Sequence, residues 1–146
     1  MNFRKTGVAC AAALLLCAAP AFAETSLGGG IFWSRDGSTY PGLLGSYYVM
    51  GVPGYPVKVK VSAAVPFGPG GRYVLSGEGE YQLKRFFAGA GGGFGVLNSI
   101  GAHGLLYEYY GGYRITPMTS IQGRYYGSLI SSPGAATYLG LAFHLK

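Results

Sequence analysis

Three observations together predict an all-β chain: an eight-stranded antiparallel up-and-down transmembrane β-barrel behind a cleaved signal peptide. Charged residues make up only 11% of the 146-residue chain, well below the ~25% of soluble domains. Past residue 23 no apolar run is long enough for a spanning helix, which needs about 20 residues. Glycine and proline instead cut the remainder into short segments in which apolar and polar residues alternate, and a strand barrel hides its hydrophobicity in that alternation.

The first element is the leader. Arg4 and Lys5 form a positive n-region, Val8–Ala19 an apolar core, and Ala21-Phe22-Ala23 a cleavage site with small residues at the two positions read by a peptidase. Residues 1–23 are therefore expected to be a signal peptide, and residues 24–146 the barrel domain. Both cysteines, Cys10 and Cys17, fall inside the leader, so residues 24–146 hold no thiol. Leu16 stands where lipoprotein processing at Cys17 would need a small residue.

Eight strand-like segments follow, at roughly 27–35, 40–50, 55–65, 72–84, 87–97, 103–115, 119–129 and 136–145. Turn residues separate them: Asp36-Gly37, Val52-Pro53-Gly54, Gly68-Pro69-Gly70-Gly71, Lys84-Arg85, Leu97-Asn98-Ser99, Thr116-Pro117 and Ser132-Pro133-Gly134. Most match the ~9–11 residues of a tilted spanning strand. Helix is disfavoured, because each of the many internal glycines would cost ~1 kcal/mol there relative to alanine.

The alternation assigns faces. In the third segment Val57, Val59, Val61, Ala63 and Val65 oppose Lys58, Lys60 and Ser62. In the fourth, Tyr73, Leu75, Tyr81 and Leu83 oppose Ser76, Glu78, Glu80, Gln82 and Lys84. In the sixth, Leu105, Tyr107, Tyr109, Tyr113 and Ile115 oppose Glu108, Tyr110 and Arg114. In the seventh, Ile121, Tyr125 and Leu129 oppose Gln122, Arg124, Tyr126 and Ser128. A soluble barrel with apolar residues inward has the same period. The tyrosine-rich apolar face and the mixed-sign polar face favour lipid outside and charge inside. In the fifth segment Gly89, Gly91, Gly93 and Gly95 share the inward face, leaving room for bulky neighbours. The first two segments stay open: either Ile31 and Trp33 or Phe32 faces lipid.

The inward charges define the candidate site, a lumen network of Lys58, Lys60, Glu78, Glu80, Glu108, Arg114 and Arg124. Lys58 with Glu80 and Lys60 with Glu78 share one index sum, so a single hairpin register centred on Pro69 sets each pair opposite. Direct pairing within both couples is the expectation.

Other chemistry finds little support. Residues 24–146 hold nine Lys and Arg (the chain's eleven less Arg4 and Lys5) against five Asp and Glu, with no basic run suited to nucleic acid. His103 and His144 sit near opposite ends of their strands, so no metal site is assigned. No cofactor site is assigned either. The glycines near 89–95 precede no helix pattern and do not form a phosphate loop. No nucleophile constellation is visible on the lipid-facing rim, so no catalytic residue is assigned and the chain is not expected to be an enzyme.

Phe87-Ala88-Gly89-Ala90-Gly91 after a tight turn, Tyr113-Arg114-Ile115-Thr116-Pro117 followed by Arg124-Tyr125, and the closing strand together resemble the small outer-membrane β-barrel family of the OmpA/OmpX type, over all of residues 24–146. In that family the last strand bears an assembly signal. Tyr138, Gly140, Phe143 and Leu145 match its spacing, although the chain ends on Lys146 where members usually end on an aromatic residue. The resemblance implies a Gram-negative outer membrane, insertion by the barrel-assembly machinery, periplasmic termini, and short outer loops near 36–39, 66–71, 98–102 and 130–135. The partners expected are outer-membrane lipid and that machinery, with no nucleic acid and a monomeric state. The expected function is a structural or envelope-stabilising barrel whose lumen is filled by side chains and salt bridges. The alternatives are a narrow, porin-like pore or small-molecule passage and, less favoured, a lipid-modifying barrel enzyme.

Overall fold

The computed structural model describes residues 24–34, 37–68, 71–97, 102–130 and 135–145. The expected signal segment, residue 1–23, and the turn residues Asp36, Pro69, Gly70, Asn98, Ser99, Ser132, Pro133 and Gly134 lie outside the described residues. Eight strands follow in chain order: β1 (Thr25–Ser34), β2 (Thr39–Gly51), β3 (Val57–Pro66), β4 (Gly71–Leu83), β5 (Phe86–Leu97), β6 (Ala102–Thr116), β7 (Thr119–Ser128) and β8 (Ala135–Leu145). Every boundary falls within two residues of the sequence expectation.

Each strand pairs antiparallel with the next, and β1 pairs with β8 to close the barrel. Closure leaves no strand edge, which a sheet surrounded by lipid cannot tolerate. The β3–β4 register sets Lys58 opposite Glu80 and Lys60 opposite Glu78. A slip of one residue would turn all four charges outward, so the period-two pattern fixes this register strongly.

The barrel is apolar outside and polar inside. Large hydrophobic side chains on its exterior, among them Leu27, Leu75, Tyr109, Leu139 and Phe143, are 38–71% exposed. Ser46, Ser62, Glu78, Glu108, Gln122 and Arg124 are buried in the lumen. A continuous apolar exterior of this extent is foreign to monomeric soluble proteins, and the soluble barrel with apolar residues inward is thereby excluded. Tyrosines stack on the outer surface, with Tyr109 and Tyr125 rings 4.8 Å apart. The open question in β1 resolves with Ile31 outward, 46% exposed, and Phe32 inward, 3% exposed.

Strand β5 shows why its glycines are needed. A Cβ on Gly89 would run into the Tyr110 ring, and one on Gly93 into the backbone carbonyl of Leu75. The missing side chains admit Tyr110 from β6 and let the wall curve tightly. The β4–β5 hairpin turns at Lys84, whose φ of 56° is left-handed and costs a non-glycine residue about 1 kcal/mol.

Candidate functional site

The lumen carries this chain's chemistry, in three layers. Farthest from Glu24 and Leu145 is an apolar and aromatic layer. Phe32, Leu44, Ala64, Val74, Leu106, Tyr126, Ala136 and Tyr138 form one buried cluster, with the Phe32 and Tyr138 rings 4.8 Å apart.

The middle layer is built around Arg124. Its guanidinium donates to both carboxylate oxygens of Glu78, at 2.6 and 3.3 Å, and to Glu108 Oε2 at 3.2 Å. It lies 4.1 Å above the Tyr110 ring. The Tyr110 hydroxyl donates to Glu80 at 3.1 Å, and Lys60 donates to the same carboxylate oxygen at 2.6 Å. Gln82 completes this set by donating to the other Glu80 oxygen at 3.2 Å. These groups come from β3, β4, β6 and β7, so one network crosses the barrel from wall to wall. The Arg124, Glu78, Glu108 and Glu80 side chains are at most 4% exposed. Charges so deeply buried persist only when paired and hydrogen-bonded.

The third layer is the mouth at the start of β1 and the end of β8. Glu24, one residue before β1, accepts from Lys58 at 2.6 Å and from Arg114, and its Oε1 is 3.5 Å from His144 Nδ1. The His144 hydrogen bond, and then the Lys58 and Arg114 charges, hold the Glu24 carboxyl well below the usual carboxylate range against the opposing effect of burial. On its other side His144 Nε2 is 2.8 Å from Ser120 Oγ. A Ser26–Ser46 hydroxyl pair at 2.6 Å lines the neighbouring wall, and a Ser62–Ser76 pair at 2.7 Å lies deeper, beside the middle layer.

All seven residues assigned from sequence to the lumen network face the lumen, but the direct pairs expected across the β3–β4 hairpin do not form. Lys60 bonds Glu80, two residues along from its register partner, Lys58 turns to Glu24, and Glu78 is taken by Arg124. The register is as expected; the pairing is corrected. The Arg124 guanidinium meets both Glu78 oxygens through two N–H groups in a fixed fork that matches the carboxylate, whereas a lysine ammonium offers a point charge.

Sequence reasoning missed Glu24, which it read only as the residue after the cleavage site, and also the His144–Ser120 contact. These three residues line up as Ser120–His144–Glu24, the order of a serine nucleophile, its base and an orienting acid. Ser120 is 0% exposed, however, and the cavity lined by His144 and Glu24 is about 10 Å³ and does not reach it. His144 thus joins the buried Ser120 hydroxyl to the Glu24 carboxylate. Among the described residues no group of His, Cys, Asp and Glu is placed to hold a metal ion; the His103 side chain lies outside the described residues.

Tyr138 and Gly140 of the terminal-strand pattern face inward, and Phe143 and Leu145 face out at 58% and 52% exposure.

This architecture is the eight-stranded, all-antiparallel class of transmembrane β-barrels, and solved structures share the fold. The chain is similar to a de novo designed transmembrane β-barrel, with TM-score 0.59, 13% identity, and 84% of this chain and 95% of that one covered. It is similar to Ail, the attachment invasion locus protein of Yersinia pestis, solved with the heparin analogue sucrose octasulfate. There the TM-score is 0.55 and the identity 18%, covering 84% of this chain and 99% of that one. The de novo designed TMB2.3 matches with TM-score 0.55 and 15% identity over 88% and 98% of the two chains. No protein-family model and no curated protein sequence matches the chain.

Proposed function

We propose that this chain is a small Gram-negative outer-membrane β-barrel with a closed lumen, a structural or envelope-stabilising protein and not an enzyme. The observation that carries this reading is the balance of charge inside the barrel. Four carboxylates (Glu24, Glu78, Glu80, Glu108) meet four cations (Lys58, Lys60, Arg114, Arg124) in direct ion pairs. The chain has only five acidic residues, so nearly its whole complement is committed to filling the lumen. An eight-stranded barrel is just narrow enough for side chains to fill, and here the apolar layer seals one end of what the ion pairs occupy. Phe143 and Leu145 on the closing strand are available for reading by the barrel-assembly machinery, with export by a signal peptide ending at Ala23.

Planar-bilayer recording tests this reading. Purified protein, shown to be folded by its heat-dependent gel mobility, should give no steady ohmic current. Glu78→Ala with Arg124→Ala, which removes the central ion pair of the middle layer, should raise conductance. A steady current from the unmodified protein would instead select the pore.

A further inference from the structure

Three donors on three different strands converge on one carboxylate at the mouth where β1 starts and β8 ends. Lys58 on β3, Arg114 on β6 and His144 on β8 all address Glu24. Glu24 stands outside β1, and its backbone carbonyl accepts from the Tyr48 amide at 3.0 Å. Its side chain can therefore swing away without undoing a strand pair. Solvent reaches this layer as it does not reach the middle one. The Lys58, Glu24 and Arg114 side chains are 26%, 21% and 20% exposed, against 1% for Arg124. The charges are also graded along the lumen. Lys58 and Arg114 outnumber Glu24 at the mouth, while Glu78, Glu80 and Glu108 outnumber Lys60 and Arg124 farther in. The surplus of cations over Glu24 favours an anion at the mouth.

We propose that this mouth is a receptor for a small carboxylate, and that the Glu24 side chain is its built-in occupant. The geometry is that of a carboxylate site. Lys58 meets Oε2 at 2.6 Å, while Arg114 and His144 address Oε1. A free carboxylate takes the same donors when Glu24 swings out. A short tether gives an attached group an effective concentration on the order of millimolar, so free ligand competes at millimolar levels and above. Size is restricted as well. The space beside Glu24, walled by Ser26, Ser46, Lys58, Lys60 and Arg114, is about 10 Å³, room for about one water molecule. With Glu24 swung out, formate fits the place its carboxyl leaves, whereas an aromatic carboxylate exceeds that place and the water-sized space beside it. The inference needs only the mouth geometry and goes beyond the structural role proposed above.

The test uses the Glu24→Ala barrel in detergent micelles, with its folded state established separately by heat-dependent gel mobility. Sodium formate is titrated against sodium chloride at matched ionic strength, and the His144 ring resonances are followed by NMR. The expected result is a saturable response to formate but not to chloride, at least tenfold weaker in the unmodified protein and lost when Lys58→Met is added. A folded Glu24→Ala barrel that responds equally to both salts, or without saturation, overturns the proposal. If that variant does not fold, the unmodified barrel carries the test through the ¹³C signal of the Glu24 carboxyl. That signal should move toward the value of a free carboxylate as formate is raised, and a signal that stays fixed overturns the proposal. Gel mobility reports the barrel independently, so failure of this site leaves the structural reading standing.

Discussion

Arg124 on β7 reaches across the lumen to Glu78 on β4 with a 2.6 Å contact, although the β3–β4 register sets Lys60 directly opposite Glu78. The residue that faces Glu78 on its own hairpin is thus not the one that neutralises it. Arg124 also holds Glu108 at 3.2 Å, so it is the hub of the middle layer.

Removing that hub should be worse than removing a pair. Arg124→Met leaves two buried carboxylates without their cation, a change that typically costs ~3–5 kcal/mol. Arg124→Met combined with Glu78→Met should cost less than the single change, because fewer uncompensated charges remain. A double-mutant cycle read by urea unfolding in micelles should also find stronger coupling between Lys60 and Glu80 than between Lys60 and Glu78. The opposite order would restore simple cross-strand pairing.

Much of this was legible in the chain. Alternation in β3, β4, β6 and β7 assigns inside and outside because each inward run there carries charge. The shared index sum of two Lys–Glu couples fixes a register without any contact being seen. What was not legible has physical causes. In β1, Gly28-Gly29-Gly30 erases the alternation, and Ile31, Phe32 and Trp33 are all apolar, so nothing local says which faces lipid. Ion-pair partners escape sequence reasoning because long side chains choose among neighbours along and across the lumen. Glu24 escaped because its lumen partners lie 34 and 90 residues away.

Two glycines, Gly79 and Gly93, predict opposite mutational outcomes. A Cβ on Gly79 meets nothing within 4 Å, whereas one on Gly93 strikes the Leu75 carbonyl and the Ser76 Cα. Backbone atoms cannot rotate away as a side chain can. Gly79→Ala should be neutral or stabilising by ~0.4–1 kcal/mol, through a less flexible unfolded chain. Gly93→Ala should reduce the folded fraction on a heat-modifiability gel. Equal yields for the two would mean that β5 is not packed as closely as described.

The mouth predicts an acid response of defined sign. Folding lowers the Glu24 pKa, through His144 first and then Lys58 and Arg114. A depressed carboxylate contributes stability above its unfolded-state pKa, near ~4.3, and loses it as pH falls toward the lower folded-state value. Glu24→Gln lacks this contribution. The urea midpoint of the unmodified protein should therefore exceed that of Glu24→Gln at about pH 5, and the margin should shrink as pH falls further. A margin that does not shrink below about pH 5 would show that the Glu24 carboxylate is not held in this way.

Two exterior residues of β8 separate the lipid face from the proposed assembly signal. Leu139 pairs with Gly123 and Ile31 midway along the strand, and Phe143 pairs with Thr119 and Leu27 near its end. A cation on the lipid face costs ~2–4 kcal/mol at the bilayer midplane and far less toward the interface. Leu139→Arg should therefore lower folding yield both in cells and in purified protein refolded into liposomes. Phe143→Asp lies where the lipid penalty is small, so liposome refolding should change little. If Phe143 is read by the assembly machinery, its outer-membrane yield in cells should nevertheless collapse. Parallel losses in both assays would reduce Phe143 to an ordinary lipid-facing side chain, and normal yield in cells would remove it from the signal altogether.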